Sequence, residues 1–440
     1  MTCVKVNSAF TNLLQCNMNF AVRYMLVQRM TAPIFRPDDM RKGNRQRIVS
    51  TLRRAEALSR TDIAAATGLS AATVSAITSD LLAEGILRQA SSDEAGQHMR
   101  GRPKVALAVN ADAALVGAVI LQLDKIDAAI VDYAGNVVAE ASVTLETLKA
   151  DRQTLRQALT GCLREALIRS RRSARLLRRI AVGVQGVTDV EGSSMLWSPV
   201  TRHTDLPIRE WMDGAFGVPA RLSNDCDLIA RALNWRDVER YGDNFAAVLL
   251  SHGVGMGLFL RGGIINGTRS SGIEFGHMVH RPQGALCRCG SRGCIEAYAG
   301  DYGIERRARR IPEATQPPGL MHEPDIAEIA RAASDGNVDA RSAIEDAGLA
   351  IGYGLADLYA LVDSFPVVLV GRSTVAASIM EPAIRSALAA TTAGQNAEGI
   401  TIDWMPDEAP LIREGCAVNA LLWLDDDMAL AAGDALSAVS

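Results

Sequence analysis

Residues 271–297 read SGIEFGHMVHRPQGALCRCGSRGCIEA, and they constrain the fold more than any other stretch. His277 precedes Cys287, Cys289 and Cys294, so three of the eight cysteines fall within eight residues. Cysteines that merely fill a core are usually scattered singly. Gly276, Gly284, Gly290 and Gly293 let the intervening loop fold back tightly. Three thiolates and one imidazole form a closed tetrahedral donor set suited to structural Zn²⁺. A disulfide with one spare thiol is the competing reading, although C-x-C-x₄-C wraps an ion more readily than it forms a bridge. Glu274 and Glu296 flank the cluster. A metal there pins His277 while the two acids face a ligand.

The other five cysteines show no paired framework, which fits a reducing, cytoplasmic compartment. A length of 440 residues allows about three domains. With 48% hydrophobic residues the chain is globular, and its net charge of -4 offers nucleic acid no global attraction. Any DNA contact must come from a local basic region. No run of 18 apolar residues is present, so no membrane-spanning helix and no membrane partner are expected. Residues 1–40 lack the order of a signal peptide. They contain Met18, Met25, Met30 and Met40, so an extension upstream of a later translation start is expected there.

Residues 41–108 hold the local basic region. Positions 41–104 carry 11 Lys/Arg against 6 Asp/Glu. NRQRIVSTLRRAE places Ile48, Val49 and Leu52 at helical spacing. A second helix, IAAATG, stops at Gly68, and Ser70 caps a third, AATVSAITSDLLAEG, with Val74, Ile77, Leu81 and Leu82 inward. Helix, short glycine turn, helix predicts a helix-turn-helix. Residues 86–88 and 105–107 then pair as wing strands. In such a head the third helix enters the major groove, with Ser70, Ala71, Ala72, Thr73 and Ser75 toward the bases. Arg100, Arg102 and Lys104 meet phosphate or the minor groove. A helical protein-interaction domain with a solvated charged face is the alternative.

The motif E-x-G-H, nine residues, C-x-C-G-x-x-G-C-x-E resembles the signature of the ROK family of sugar kinases and sugar-responsive repressors. The resemblance extends over about residues 41–430. It implies an α/β fold: an N-terminal winged helix-turn-helix, then two actin-like (ribonuclease-H-like) lobes with a ligand cleft between them. The expected units are 1–40, the winged head at 41–108, lobe 1 at 110–235 and lobe 2 at 236–435. Repressor members carry the head, often ending in a Gly-Arg-Pro wing, which here is Gly101-Arg102-Pro103. The kinases lack it.

By the same resemblance, Asn224, Asp225, Glu274, His277 and Glu296 are the sugar contacts, suited to polyol hydroxyls by their acceptor geometry. Capping of the following helix is a second role open to Asn224 and Asp225. The phosphate half departs from the kinases. Ile120, Gln122, Leu123 and Asp124 stand where an Asp-x-Gly-Gly-Thr loop belongs, and an Asp side chain repels phosphate. His252 replaces a threonine, Arg372 replaces a glycine near the nucleoside, and Val200 replaces the asparagine of a Pro-Asn pair.

Among the remaining elements, one helix is expected over 151–179, its basic end facing solvent or DNA. The Asp425-Asp426-Asp427 run is expected to be a solvated turn. The combined expectation is a transcriptional regulator, a repressor of carbohydrate genes, and not an enzyme. It binds a DNA operator as a homodimer or tetramer, answers to a sugar or sugar-derivative effector, and carries structural Zn²⁺ on His277, Cys287, Cys289 and Cys294. An ATP-dependent sugar kinase with Asp225 as general base is the alternative. A body that responds to a partner protein is a third reading.

Overall fold

The computed structural model describes residues 37–91, 105–320, 322, 324–397 and 399–437. Arg100, Arg102 and Lys104, and the expected extension up to residue 36, lie outside the described residues.

The head opens with helix α1 (Pro37–Ala55), strand β1 (Ala57–Ser59), α2 (Arg60–Thr67) and α3 (Ala71–Ala83). Pro37 suits a first helical turn, where its missing N–H costs nothing, so α1 starts before the expected Asn44. Ser59 caps α2, and Gly68 at φ 69° ends it in the left-handed conformation that glycine tolerates. Ser70 caps α3 by accepting the Thr73 N–H at 3.1 Å. Val74, Ile77 and Leu81 on α3 pack with Ile48, Leu52 and Ile63. Strands β2 (Leu87–Gln89) and β3 (Ala106–Val109) pair antiparallel, and β1 joins the other edge of β3. This is a winged helix-turn-helix.

Lobe 1 is built on a five-stranded sheet in the order β10-β7-β4-β5-β6. Its strands are β4 (Leu115–Leu121), β5 (Lys125–Asp132), β6 (Val137–Thr144), β7 (Leu177–Val184) and β10 (Ala220–Asn224). The β8 (Val187–Thr188) and β9 (Met195–Trp197) hairpin projects from it. Helices α4 (Arg152–Arg169) and α5 (Ile208–Phe216) contribute to the apolar cluster on one face, and α6 (Asp225–Arg236) to that on the other. The helix expected over 151–179 ends ten residues early. Arg171 turns with φ 53°, and Leu177, Ile180, Val182 and Val184 are drawn into the sheet core instead. Arg178 and Arg179 therefore lie on β7 rather than on a basic helix end.

Lobe 2 carries the sheet β13-β12-β11-β14-β15. These are β11 (Phe245–Leu250), β12 (Val254–Leu260), β13 (Gly263–Ile264), β14 (Val367–Val370) and β15 (Ile402–Met405). Strands β11, β14 and β15 run parallel. Helices α7 (Glu296–Ala299), α8 (Asp301–Ala308), α9 (Ile326–Ser334), α10 (Val338–Val362), α11 (Ala377–Ala389) and α12 (Thr392–Gln395) complete this lobe.

The last helix, α13 (Ala409–Ser437), leaves lobe 2 and packs on α6, β7, β4 and α1. Residues from 409 onward, within the range expected for lobe 2 (236–435), make their helix contacts with lobe 1 and the head. The solvated turn expected at 425–427 is also overturned. Asp425 is 4% exposed and takes a two-pronged contact from Arg53 of α1, at 2.8 and 3.1 Å. The Tyr133 hydroxyl donates to the same carboxylate at 2.7 Å. Arg179 on β7 holds Asp427, and Gln46 on α1 reaches Asp426. Charge runs usually face water, but here three arms of the structure converge on one helix turn.

Candidate ligand cleft, metal centre and DNA-binding face

Strand β10 ends at Asn224, and α6 begins at Asp225. Side chains at the carboxyl end of such a strand face a crevice. The Asn224 side-chain oxygen accepts the Cys226 N–H at 2.8 Å, and its amide donates to the Gly186 carbonyl at 2.6 Å. It caps α6 and fixes the β7–β8 turn. Asp225 is 6% exposed, and its carboxylate accepts the Cys226 N–H at 3.0 Å. Burial raises its pKa to about 6.

Lobe 2 closes on this point through glycines. A Cβ on Gly255 would stand 2.5 Å from Cys226 Sγ, and one on Gly253 would stand 2.6 Å from Glu296 Oε2. Glycine at both positions lets the start of β12, with the residue before it, fit between α6 and Glu296. The Val254 N–H donates to Glu296 Oε2 at 3.3 Å. Glu296 is mostly buried, and its other oxygen lies 3.2 Å from the Tyr302 hydroxyl and 3.4 Å from Cys287 Sγ. Glu274 is half exposed, with its carboxylate 3.7 Å from His277 Nε2.

His277, Cys287, Cys289 and Cys294 come together, with all four donor atoms within 4.8 Å of one another. Cys289 and Cys294 sulfurs are 3.8 Å apart, and His277 Nδ1 is 3.9 Å from Cys287 Sγ. Two thiolates bound about 2.3 Å from one zinc at the tetrahedral angle stand about 3.8 Å apart, so the spacing fits the ion. Burial and the neighbouring thiols push the Cys294 thiol up, a cost that a cation at the centre reverses. His277 Nδ1 faces the thiols and Nε2 faces Glu274, so a metal held on Nδ1 would leave the ring N–H directed toward Glu274. Tyr302, which sequence reasoning missed, is 1% exposed, and its hydroxyl lies 3.5 Å from Cys287 Sγ. Burial, with Glu296 and Cys287 beside it, keeps the phenol protonated, so it can donate to either neighbour.

The carboxyl ends of β11 and β14 are filled from within. Arg372 reaches His252 Nε2 at 2.7 Å and Asp301 at 3.2 Å, and Ser373 donates to Asp301 at 2.7 Å. Burial raises Asp301 to about 6, against the pull of Ser373 and Arg372. Arg372 and His252 were singled out separately in the sequence; their pairing, and the role of Asp301, were not visible there. In lobe 1, Ile120 is buried in β4 and the Gln122 amide donates to Asp127 at 2.8 Å, so an ordinary β4–β5 turn stands where a phosphate loop would be.

The ROK family model matches residues 116–408, and a model described as winged helix-turn-helix DNA-binding matches residues 41–88. The chain belongs to the ROK family. The xylose repressor of Caldicellulosiruptor bescii is 23% identical over 326 residues, 72% of this chain and 80% of that protein. The Escherichia coli K12 DNA-binding transcriptional dual regulator NagC is 26% identical over 334 residues, 75% and 80% of the two chains. A crystal structure of a ROK family transcriptional regulator, a homologue of E. coli Mlc, superposes with a TM-score of 0.70 at 23% identity, covering 89% of this chain and 98% of that one. These three relatives are named as repressors or transcriptional regulators.

On the winged helix-turn-helix head, the outer face of α3 presents Ala71, Ala72 and Ser75, with Ser70 at its cap. Thr73 is half buried, and its hydroxyl shares a 2.8 Å hydrogen bond with Ser70 Oγ. Ala76 and Ser79 are exposed on the same face, at helical spacing from Ala72 and Ser75. Among the described residues, no helix is long and apolar enough to cross a membrane.

Proposed function

We propose that this chain is a cytoplasmic, sugar-responsive transcriptional repressor that binds operator DNA through α3 as a homodimer or tetramer. A sugar or sugar derivative occupies the cleft, with Asp225, Glu274, His277 and Glu296 taking its hydroxyls and Asn224 holding the wall. Zn²⁺ on His277, Cys287, Cys289 and Cys294 is structural: it fixes the loop and orients His277. Asp225 serves as a hydroxyl acceptor, not as a kinase base.

The observation that carries this reading is the path of α13. It begins beside the cleft, where Ser251 Oγ lies 3.3 Å from Glu408, and about 26 Å further along the helix Asp425 grips Arg53 of the head. A ligand that moves lobe 2 against lobe 1 therefore acts on an element joined to the DNA-binding head. Such a ligand shifts DNA affinity only by as much as it prefers one state over the other. The test is fluorescence anisotropy with DNA from upstream of the chain's own gene, against scrambled DNA at fixed salt. Specific binding on the order of 10³-fold over scrambled DNA is expected. Sequence-blind binding that collapses with salt would refute the repressor reading.

A further inference from the structure

Trp197 closes strand β9 with 48% of its surface exposed, unusual for the largest apolar side chain. The hairpin register explains why. Thr188 pairs with Met195, both buried, and Val187 pairs with Trp197, leaving Leu196 as an extra residue on β9. In an unbroken strand, residues two apart share a face, and Trp197 would follow Met195 into the core. The bulge turns it to the opposite face, beside Val187.

That face looks toward lobe 2. Val187 Cγ2 lies 3.7 Å, and Glu274 Oε1 2.8 Å, from the point where a Cβ on Gly272 would stand. The hairpin is tied there: the Ser271 N–H donates to the Thr188 carbonyl at 2.9 Å, and the Thr188 N–H donates to Ser271 Oγ at 3.1 Å. On its other flank, the Trp197 carbonyl stands 2.3 Å from the Cβ position of Gly186, the residue whose carbonyl holds the Asn224 amide. Trp197 thus adjoins Val187 and Gly186, the residues that link the Gly272–Glu274 segment of lobe 2 to Asn224 of lobe 1.

We propose that Trp197 is the apolar wall of the effector cleft, stacking its indole against the C–H face of a pyranose while the acids and His277 take the hydroxyls. This rests on the sugar-effector reading. The negative face of an aromatic ring attracts polarised C–H groups, and a rigid ring lends area at little entropic cost. Sugars with equatorial hydroxyls, such as glucose, xylose and N-acetylglucosamine, offer an unbroken C–H face; linear alditols do not.

The experiment is calorimetric titration of the full chain with these three sugars, their phosphates, xylitol and sorbitol, repeated with Trp197→Ala and Trp197→Phe. A pyranose is expected to bind the parent, to bind Trp197→Ala weaker by on the order of ten-fold, and to retain most affinity for Trp197→Phe. Equal melting temperatures establish that both variants fold, as expected for an exposed side chain. Unchanged affinity in Trp197→Ala, or preference for an alditol, overturns the stacking role and leaves the sugar reading standing. No binding of any sugar by the parent overturns the sugar reading and the stacking role with it.

Discussion

Replacing Asp425 with alanine tests the joint between head and body. The Arg53 and Asp425 side chains are each 2% exposed, so the substitution leaves a guanidinium buried with the Tyr133 carbonyl as its remaining recorded acceptor, at 3.1 Å. Breaking one side of a buried ion pair costs about 3–5 kcal/mol, and the Tyr133 hydroxyl also loses its acceptor, about 1 kcal/mol more. Domains are stable by about 5–15 kcal/mol, so the loss frees the head from the body before either unfolds. Hydrogen exchange of the full chain should show α1 opening roughly 10³–10⁴-fold more often, with the lobe 2 sheet unchanged. A sugar should then no longer alter DNA affinity. Replacing both partners, Arg53→Met with Asp425→Leu, should recover most of the stability, since buried pairs often exchange for apolar packing at little cost. A loss under about 0.5 kcal/mol in the single variant, or a double variant weaker than the single, would refute the reasoning.

The other predictions are local. Purified protein should hold about one zinc per chain by metal analysis, and Cys289→Ser or a chelator should release it and lower the melting temperature; a metal-free, equally stable protein contradicts the site. Asp225 has a folded pKa of about 6 against about 3.9 unfolded. Its burial penalty is absent below pH 4, grows between pH 4 and 6, and is complete above that, so stability falls with rising pH through this window. Asp225→Asn should stabilise the chain at pH 7 by up to about 3 kcal/mol, flatten that slope and weaken sugar binding; denaturant melts at pH 4 and 7 check it. Ser75→Ala on the exposed face of α3 should cost about 1–3 kcal/mol in operator binding without changing the salt slope; an equal loss on scrambled DNA would make it a phosphate contact instead.

What the sequence disclosed follows from where the interactions lie. The four candidate metal-binding residues fall within one loop, so spacing alone brought them together. The head was legible because Ser59, Gly68, Ser70 and Gly85 mark its helix ends locally. Asn224 was ambiguous because a strand-end amide can cap or bind; its oxygen caps α6 and its amide holds the Gly186 carbonyl, a partner 38 residues away that no local pattern announces. The Asp425 cluster was misread because its partners, Arg53 and Tyr133, lie about 370 and 290 residues away, and a charge run carries no signal of burial. The basic stretch after Arg169 was read as helix because arginine is a good helix former, whereas sheet pairing of the apolar residues after it prevails. Trp197 gave no sign, since a bulge re-aims it and bulges leave no pattern in an isolated sequence.

The most direct test of the central claim is a single anisotropy titration of operator DNA with and without the sugar identified by calorimetry, at one salt concentration. The account predicts that saturating sugar changes operator affinity by about 5–150-fold, and that Asp425→Ala abolishes the change while sugar still binds. An operator affinity indifferent to a bound sugar would contradict it.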